Sequence, residues 1–420
     1  MKKDFWVRIF TIILSIVILF VGNKYVSENL DIFKNSANET AMGKITSIIN
    51  REENIFTIQD SEDMKNIDIR FNCEITSGKY KGQTVEVLQN IDPMLPANVR
   101  EVREGDHVIV INMVDAMSGE TVWHFAYYSK IGGILILTAI FLLLMFLLLR
   151  SRGFNIIVSL AITCAAIFFI FIPSVLNGFN IYISSILICL FITISTLIIL
   201  NGWSKKTLAT IIGCFTGVIS AGIITVIMDK ALMLTGMIDE HSIYLQMMNP
   251  ENPINLRAIV FASIVIGALG AVMDVAMDIS SSSYEISLHN KNISRMKLLN
   301  SSLQIGRDIM GTMSNTLILA YIGSSFTSIL LMITYAGSTM ELLNRETVVV
   351  EILQALIGST AIVLTIPITA VVCSILYVNK RGKSSDDIDD IDDIDEDEKE
   401  DKSKSVLISE KSDGEEIYKF

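Results

Sequence analysis

Residues 131–149 read IGGILILTAIFLLLMFLLL, an apolar stretch without a charged side chain. A helix of this length crosses a hydrocarbon core of about 30 Å, because each residue advances the helix by about 1.5 Å. Similar runs recur along the 420-residue chain, of which 51% is apolar. The pattern predicts a polytopic membrane protein, an all-α bundle of about eight transmembrane helices. The predicted spans are 6–25, 131–149, 154–172, 181–200, 207–228, 258–279, 309–335 and 350–378.

Lysine and arginine fall in alternate loops between these spans. Arg150 and Arg152 separate the second and third spans, and Lys205 and Lys206 separate the fourth and fifth. Basic residues also precede the first span, lie between the sixth and seventh, and follow the eighth. Because short basic loops stay cytoplasmic, both termini are predicted to be cytoplasmic.

The first span is interpreted as an uncleaved anchor, with a secretory signal peptide as the alternative.

The segment between the first two spans has a different character. Short β-rich runs, among them IDIRFNCEI and DHVIVINMV, alternate with turn signals such as SGKYKGQ. Five or six such strands predict a small extracytoplasmic all-β domain, barrel or OB-like, at residues 40–128. Its last residues include Trp123, Phe125, Tyr127 and Tyr128, which we interpret as an interfacial aromatic belt beside the second span.

The remaining segments complete the domain organisation. Residues 1–39 form a cytoplasmic start, a membrane anchor and a linker, and residues 129–378 form a seven-helix transmembrane domain. The segment from Ser384 to Phe420 carries −11 of the chain's net charge of −12. Such a block repels itself and lacks apolar surface, which predicts a disordered acidic cytoplasmic tail at residues 379–420.

Small residues recur every fourth position in the fifth span, at Gly213, Gly217 and Ala221. Small residues at this spacing let two membrane helices approach closely. We expect this ridge to be a helix-packing face.

Three carboxylates lie at or beside the ends of the sixth and seventh spans. Asp274 and Asp278 are four residues apart and share one helix face, and Asp308 immediately precedes the next span. Thr312 and Asn315 follow within two turns of Asp308. Ionisable groups inside a membrane are expensive and mark functional sites. Carboxylate, hydroxyl and amide oxygens suit Na⁺ or another hard cation, or a proton relay. These five residues form the hypothetical ion-binding or substrate-binding site.

An ordinary helix interface could explain the same residues. In that interpretation Arg307 pairs with Asp278 or Asp308, and the hydroxyls bind backbone carbonyls. All four histidines lie outside the spans and no metal-binding cysteine motif occurs. We therefore predict no catalytic residue, no metal site and no cofactor.

Four motifs carry a resemblance to a known family: GALGAVMDVAMDISSSSYEI, IGRDIMGTMSNTLILAYIG, EILQALIGSTAIVLTIPITA and HFAYYSKIGGILIL. Together they resemble the YibE/F-like family of bacterial multi-pass membrane proteins, from about His124 to Tyr377. The resemblance implies a protein of the bacterial cytoplasmic membrane and no particular reaction.

Three functions follow as hypotheses. The first is a transporter or ion-coupled permease built on the carboxylates. The second is a non-enzymatic accessory or sensor protein whose external domain binds a ligand or partner. The third, an intramembrane aspartyl protease, is disfavoured because GRDIMG departs from the GxGD pattern of that class. The expected partners are membrane lipids, a cation or proton, and a protein bound by the external domain or the tail. Nucleic-acid binding is disfavoured because the soluble parts lack a basic stripe, so no nucleic-acid partner is expected.

Overall fold

The computed structural model describes residues 2–27, 39–56, 64–92, 100–114, 121–247, 253–290 and 292–378. The predicted acidic tail at 379–420 lies outside the described residues. The strands are β1 (Glu39–Phe56), β2 (Met64–Ile75), β3 (Thr84–Ile91), β4 (His107–Val114) and β5 (Thr121–Tyr128). The helices are α1 (Lys2–Val26), α2 (Ile131–Leu149), α3 (Ser151–Ala166), α4 (Ile172–Leu176), α5 (Ile181–Asn201), α6 (Lys205–Leu232), α7 (Glu240–Met247), α8 (Leu256–His289), α9 (Arg295–Ser324), α10 (Phe326–Tyr335), α11 (Thr339–Asn344) and α12 (Glu346–Tyr377).

The five strands form a closed barrel in the order β1-β2-β3-β5-β4. All pairs are antiparallel except β3 and β5, which run parallel where Val87 faces Trp123. Closure removes the unpaired edges that would otherwise invite pairing with another chain. The turn between β2 and β3 contains Gly78 and Gly82, both at positive φ, where glycine is tolerated without steric cost. The prediction of a small barrel is confirmed.

The barrel core explains the aromatic residues of β5. Alternate residues of β2, including Phe71 and Cys73, are completely buried, as the period of two in a strand requires. Trp123 is only 9% exposed and packs edge-on against Tyr80. Phe125 and Tyr128 also pack against this core, whereas Tyr127 is exposed. The interpretation of this run as an aromatic belt is therefore wrong for three of its four members. They belong to a strand, and their rings fill the barrel.

Burial raises the pKa of the Cys73 thiol to about 11, from its ordinary value of about 9. At pH 8 we expect iodoacetamide to alkylate Cys73 about a hundredfold more slowly in the folded protein than after denaturation in SDS, because the thiolate is the nucleophile. Since folding raises this pKa, the barrel should also lose stability as the pH rises from about 9 to 11. Mass spectrometry of Cys73 peptides over a time course measures the labelling. Equal rates in the folded and denatured protein would contradict the buried position.

Seven of the described helices are long and apolar enough to cross a membrane, or eight if α9 and α10 count as one bent span. The span predicted at 309–335 as one helix is wrong in its start and in its continuity. Helix α9 begins at Arg295, fourteen residues earlier than predicted, and a 63° bend separates it from α10. The break follows Gly323, Ser324 and Ser325, and Gly/Ser pairs are common sites of helix kinks.

The chain divides into two compact units, and α6, α8 and α12 each contribute to both. The second unit contains residues 204–227, 267–344 and the part of α12 from Glu351 onward. Within it, the small-residue ridge of α6 is buried against α12: Gly213 faces Thr369, and Gly217 faces Thr365. Val272 of α8 also contacts Gly217. The predicted packing face is confirmed, and glycine is what allows three helices to meet there.

Candidate functional site

Helix α8 presents an unusual exposed face within the second unit. Between residues 267 and 280, the exposed positions are Gly267, Gly270, Asp274 and Asp278. Their spacing of three or four residues places them in one stripe along the helix. The apolar residues of the same segment, such as Val272 and Ile279, are buried. The fully exposed positions of this part of α8 are thus glycine and aspartate, and Ala271, Met273 and Met277 beside them are half-buried.

Helix α9 presents a similar stripe. Between residues 304 and 316 its exposed positions are Gln304, Arg307, Asp308, Gly311, Thr312, Asn315 and Thr316. The Thr312 hydroxyl donates a hydrogen bond to the Ile309 carbonyl at 2.9 Å, and the Thr316 hydroxyl donates to the Thr312 carbonyl at 2.9 Å. Each hydroxyl oxygen keeps lone pairs that can accept a further bond. We refer to the α8 and α9 stripes together as the polar face.

Two other helices of this unit show what a lipid-facing surface looks like. The exposed positions of α12 include Ile352, Leu356, Val363, Leu364, Val371 and Ile375. The exposed positions of α6 include Leu208, Ile212 and Ile223. Branched aliphatic side chains of this kind match the apolar lipid tails. The polar face differs from both helices in having no large apolar side chain.

Contacts between α8 and α9 fix their antiparallel register. The hydroxyls of Ser283 and Ser302 are hydrogen-bonded at 2.6 Å, and Ile279 lies beside Gly306. Farther along, the Tyr321 hydroxyl lies against Gly267. With about 1.5 Å per residue, this register puts Asp278 level with Arg307 and Asp274 level with Gly311. The carboxylates of the two helices therefore lie within about two turns of each other along the bundle.

The structure brings only some of the predicted site residues together. Asp274 and Asp278 interact electrostatically across one helical turn. Among the described residues, no hydrogen bond or ion pair joins Asp308 or Arg307 to either of them. The basic residue whose charge acts on Asp278 is Lys206 of α6. Of the alternative of an ordinary helix interface, one part is absent and one is present. Among the described residues Arg307 forms no ion pair with Asp278 or Asp308, whereas the Thr312 and Thr316 hydroxyls bind backbone carbonyls as that alternative predicted.

The chemistry of the polar face is that of hard oxygen donors. Carboxylate, hydroxyl and amide oxygens on adjacent helices can replace the hydration shell of a small cation. Across the ranges that the structure describes, no group of three His, Cys, Asp or Glu side chains converges on one point. The arrangement suits a monovalent cation or a proton that several residues contact in turn.

The family model described as YibE/F-like protein matches residues 137–379, more than half of the chain. The chain belongs to the YibE/F-like family. The match runs from α2 to the end of α12, so it includes the whole polar face and excludes the barrel. No curated protein and no solved structure matches the chain. Family membership and the apolar helices together establish a multi-pass membrane protein.

Sequence reasoning missed three polar residues of the YibE/F-like region. Lys206 lies in a loop-to-helix junction, and only the packing of α6 on α8 brings its backbone carbonyl to the Ser280 hydroxyl, at 2.9 Å. Tyr321 and Glu351 lie inside apolar runs, and each has a buried oxygen atom without a hydrogen-bond partner. Glu351 could have been found by the rule that singled out Asp274, because VVVEILQAL places one carboxylate in an apolar stretch.

Proposed function

We propose that this YibE/F-like protein is an ion-coupled permease, and that its polar face lines the path of a monovalent cation or a proton. Asp274 is the principal coupling site in this proposal. Asp278 and Asp308 lie toward one end of the path, and Thr312 and Asn315 supply neutral oxygen ligands from α9.

One observation carries the proposal: the exposed residues of α8 between 267 and 280 are only glycine and aspartate. A carboxylate at the bilayer centre costs about 2.5–3.5 kcal/mol by insertion scales, so a carboxylate such as Asp274 within a span is unfavourable against lipid tails. Charged residues in membrane spans face the interior of a bundle or a water-filled cavity. A face without large apolar side chains meets that requirement and leaves room for water or a cation.

The spacing of the carboxylates suggests how the site works. Asp274 and Asp278 are one turn apart, so their charges repel unless a cation or a proton lies between them. A cation that binds there is then drawn toward the hydroxyl and amide oxygens of Thr312 and Asn315. Gly270 and Gly311 leave open space beside these groups, because a β-carbon added at either position would contact no atom within 4 Å.

The test is cation flux into proteoliposomes that contain the purified full-length protein. A pH-sensitive dye inside the vesicles reports proton movement, and radioactive Na⁺ or Rb⁺ reports monovalent cations. We expect the protein to raise the flux of at least one of these ions above that of protein-free vesicles. If none of them moves faster, with or without an imposed membrane potential, the permease proposal fails.

A second candidate function rests on the barrel. Strand β1 contains two irregularities in its pairing with β2, after Ile45 and after Ile48. Bulges redirect side chains, and here Ile48 and Ile49 are both exposed. In this alternative the protein is an accessory or sensor protein that binds a ligand or partner through this surface of its barrel. Replacing both isoleucines by serine would then remove function, whereas Asp274→Asn would leave it intact.

We also propose that both termini are cytoplasmic, that the barrel lies on the opposite side, and that the membrane is the bacterial cytoplasmic membrane. The basic loops, including the one that contains Arg150, support this topology. A cysteine placed at Lys81, in the exposed turn after β2, should react with an impermeant maleimide in intact spheroplasts. A cysteine placed at Lys297 at the start of α9 should react only after permeabilisation. The reverse pattern would overturn the topology.

A further inference from the structure

The polar face carries charges of both signs, and they are not paired within the chain. Asp278 on α8 and Arg307 on α9 are both exposed. Among the described residues, no ion pair includes either of them. Lys206 of α6 acts electrostatically on Asp278 but forms no ion pair with it. Charged groups in membrane spans are retained where they pair with one another or contact water. The polar face therefore has both a carboxylate and a guanidinium available for a partner surface.

The antiparallel register of α8 and α9 sets the depth of each residue of the polar face. The hydrogen bond between Ser283 and Ser302 fixes this register, and one step forward along α8 matches one step back along α9. Three pairs of exposed residues then share a depth: Asp278 with Arg307, Asp274 with Gly311, and Gly270 with Asn315. Each pair joins opposite charges, or joins a glycine to a larger polar side chain. The two stripes are therefore complementary in charge and in size.

A two-fold axis along the membrane normal turns this complementarity into an interface. Such an axis keeps every residue at its own depth and gives both copies the same topology. When the axis passes through the middle of the polar face, α8 of one copy lies opposite α9 of the second copy. Each α8 residue then meets the α9 residue that shares its depth.

We propose that the polar face is a dimer interface between two copies of this chain, in which Asp278 of each copy pairs with Arg307 of the other. The two ion pairs are reciprocal, as the same surface patch on both subunits requires. Lipid tails offer no counter-charge to either group. Because the matching stripes belong to one chain, the complementarity favours a second copy over an unrelated membrane protein.

The glycines of the polar face allow the two copies to approach closely. A β-carbon added at Gly270 or Gly311 would meet no atom within 4 Å, so the space beside each is open. Gly311 leaves room for Asp274 of the second copy, and Gly270 leaves room for its Asn315. Small residues at such positions are typical of membrane helices that pack against each other.

The dimer also completes the proposed ion path, and this part of the inference rests on the permease proposal. Asp274 and Thr312 of both copies face the same axis, which doubles the oxygen donors available to a cation. The ion pairs of Asp278 with Arg307 lie about 6 Å farther along α8 and narrow that end of the path.

Disulfide formation between two differently tagged full-length copies in membranes tests the interface. In a background without native cysteines, one copy carries Asp278→Cys and the other carries Arg307→Cys. Oxidation with copper phenanthroline should convert most of the protein into a dimer that carries both tags, because the reciprocal ion pair is still intact. The control combines Arg307→Cys with Leu364→Cys, at an exposed position of α12 outside the polar face, and should form no such dimer.

Charge reversal tests the ion pairs themselves, with the dimer fraction counted by single-molecule photobleaching of labelled protein in dilute liposomes. Asp278→Arg and Arg307→Asp each place like charges opposite one another, so each should lower the ratio of dimer to monomer about tenfold. The variant with both changes should recover the wild-type ratio within about twofold, which also shows that neither change prevents folding. Glu285→Arg makes the same charge change at an exposed position beyond the polar face and should have no effect.

Three outcomes would overturn the dimer interface. The first is a protein that is monomeric in liposomes or cross-links equally in the control combination. The second is a dimer that neither charge reversal weakens, because the copies would then meet through another surface. The third is cross-linking of either cysteine to a different protein, which would assign the polar face to that protein. Because these readouts measure assembly and not flux, a failure of the permease proposal leaves the interface standing, and a conducting monomer refutes the interface alone.

Discussion

Asp274→Asn should reduce cation flux through the protein at least about tenfold while the yield of folded protein stays within about a factor of two of wild type. The carboxylate is exposed on a helix face whose other fully exposed residues are glycine and Asp278, so its loss creates no cavity and breaks no hydrogen bond. What disappears is the negative charge that attracts the cation to the polar face. Flux in proteoliposomes, normalised to reconstituted protein, measures the effect.

Glu285→Gln provides the matched control for this experiment. Glu285 is an exposed carboxylate on the same helix, eleven residues after Asp274 and beyond the apolar segment. Its neutralisation removes the same charge from the chain, and we expect flux to change by less than about twofold. Equal losses in the two variants would show that net charge, and not the position of Asp274, determines the flux.

Gly217→Val should destabilise the second unit severely, with loss of most monodisperse protein in size-exclusion chromatography. A β-carbon at Gly217 would overlap the Thr365 hydroxyl and lie 2.6 Å from Cγ1 of Val272, so two neighbouring helices would have to move apart. Overpacking a close-packed interior costs about 1–3 kcal/mol, and more when backbones must separate. The measurements are thermal unfolding in detergent and the recovered monomeric fraction.

Gly270→Val is the control that isolates packing from helix propensity. Gly270 is also a mid-helix glycine, but an added β-carbon there meets no atom within 4 Å. Removing glycine from a helix interior slightly favours the helix, so this variant should retain wild-type stability. If Gly217→Val were as stable as Gly270→Val, the three-helix contact at Gly217 would not exist as described.

The sequence predicts the fold class because the patterns that determine it are local. Runs such as 131–149 are long and apolar enough to require a membrane, and the alternating residues around Phe71 require a sheet with one buried face. The break after Ser324 was missed because the residues on both sides of it are equally apolar. Hydropathy does not reveal where the backbone hydrogen bonds of a helix end. The aromatic run of β5 was misjudged for a related reason: Trp123 suits a membrane interface and a barrel core equally well.

The candidate site is only partly predictable, because local patterns reveal some of its residues and long-range helix packing determines the rest. Asp274 is conspicuous because a carboxylate in an apolar run violates a local rule. Its exposure beside two glycines, the contact of Ser280 with Lys206, and the approach of Tyr321 to Gly358 all depend on how distant helices pack. Such contacts link residues tens of positions apart, and neither spacing nor composition encodes them directly.

In the proposed permease, the polar face lines an aqueous path. The most direct measurement compares two single cysteines in membranes, Gly270→Cys on α8 and Leu364→Cys on α12, in a background without native cysteines. Gly270 has open space for the new side chain, and Leu364 is exposed among aliphatic neighbours. We predict that a charged, membrane-impermeant methanethiosulfonate reagent modifies the cysteine at 270 and leaves the one at 364 unmodified. Equal resistance at both positions would contradict the claim, because it would place the aspartate stripe away from water.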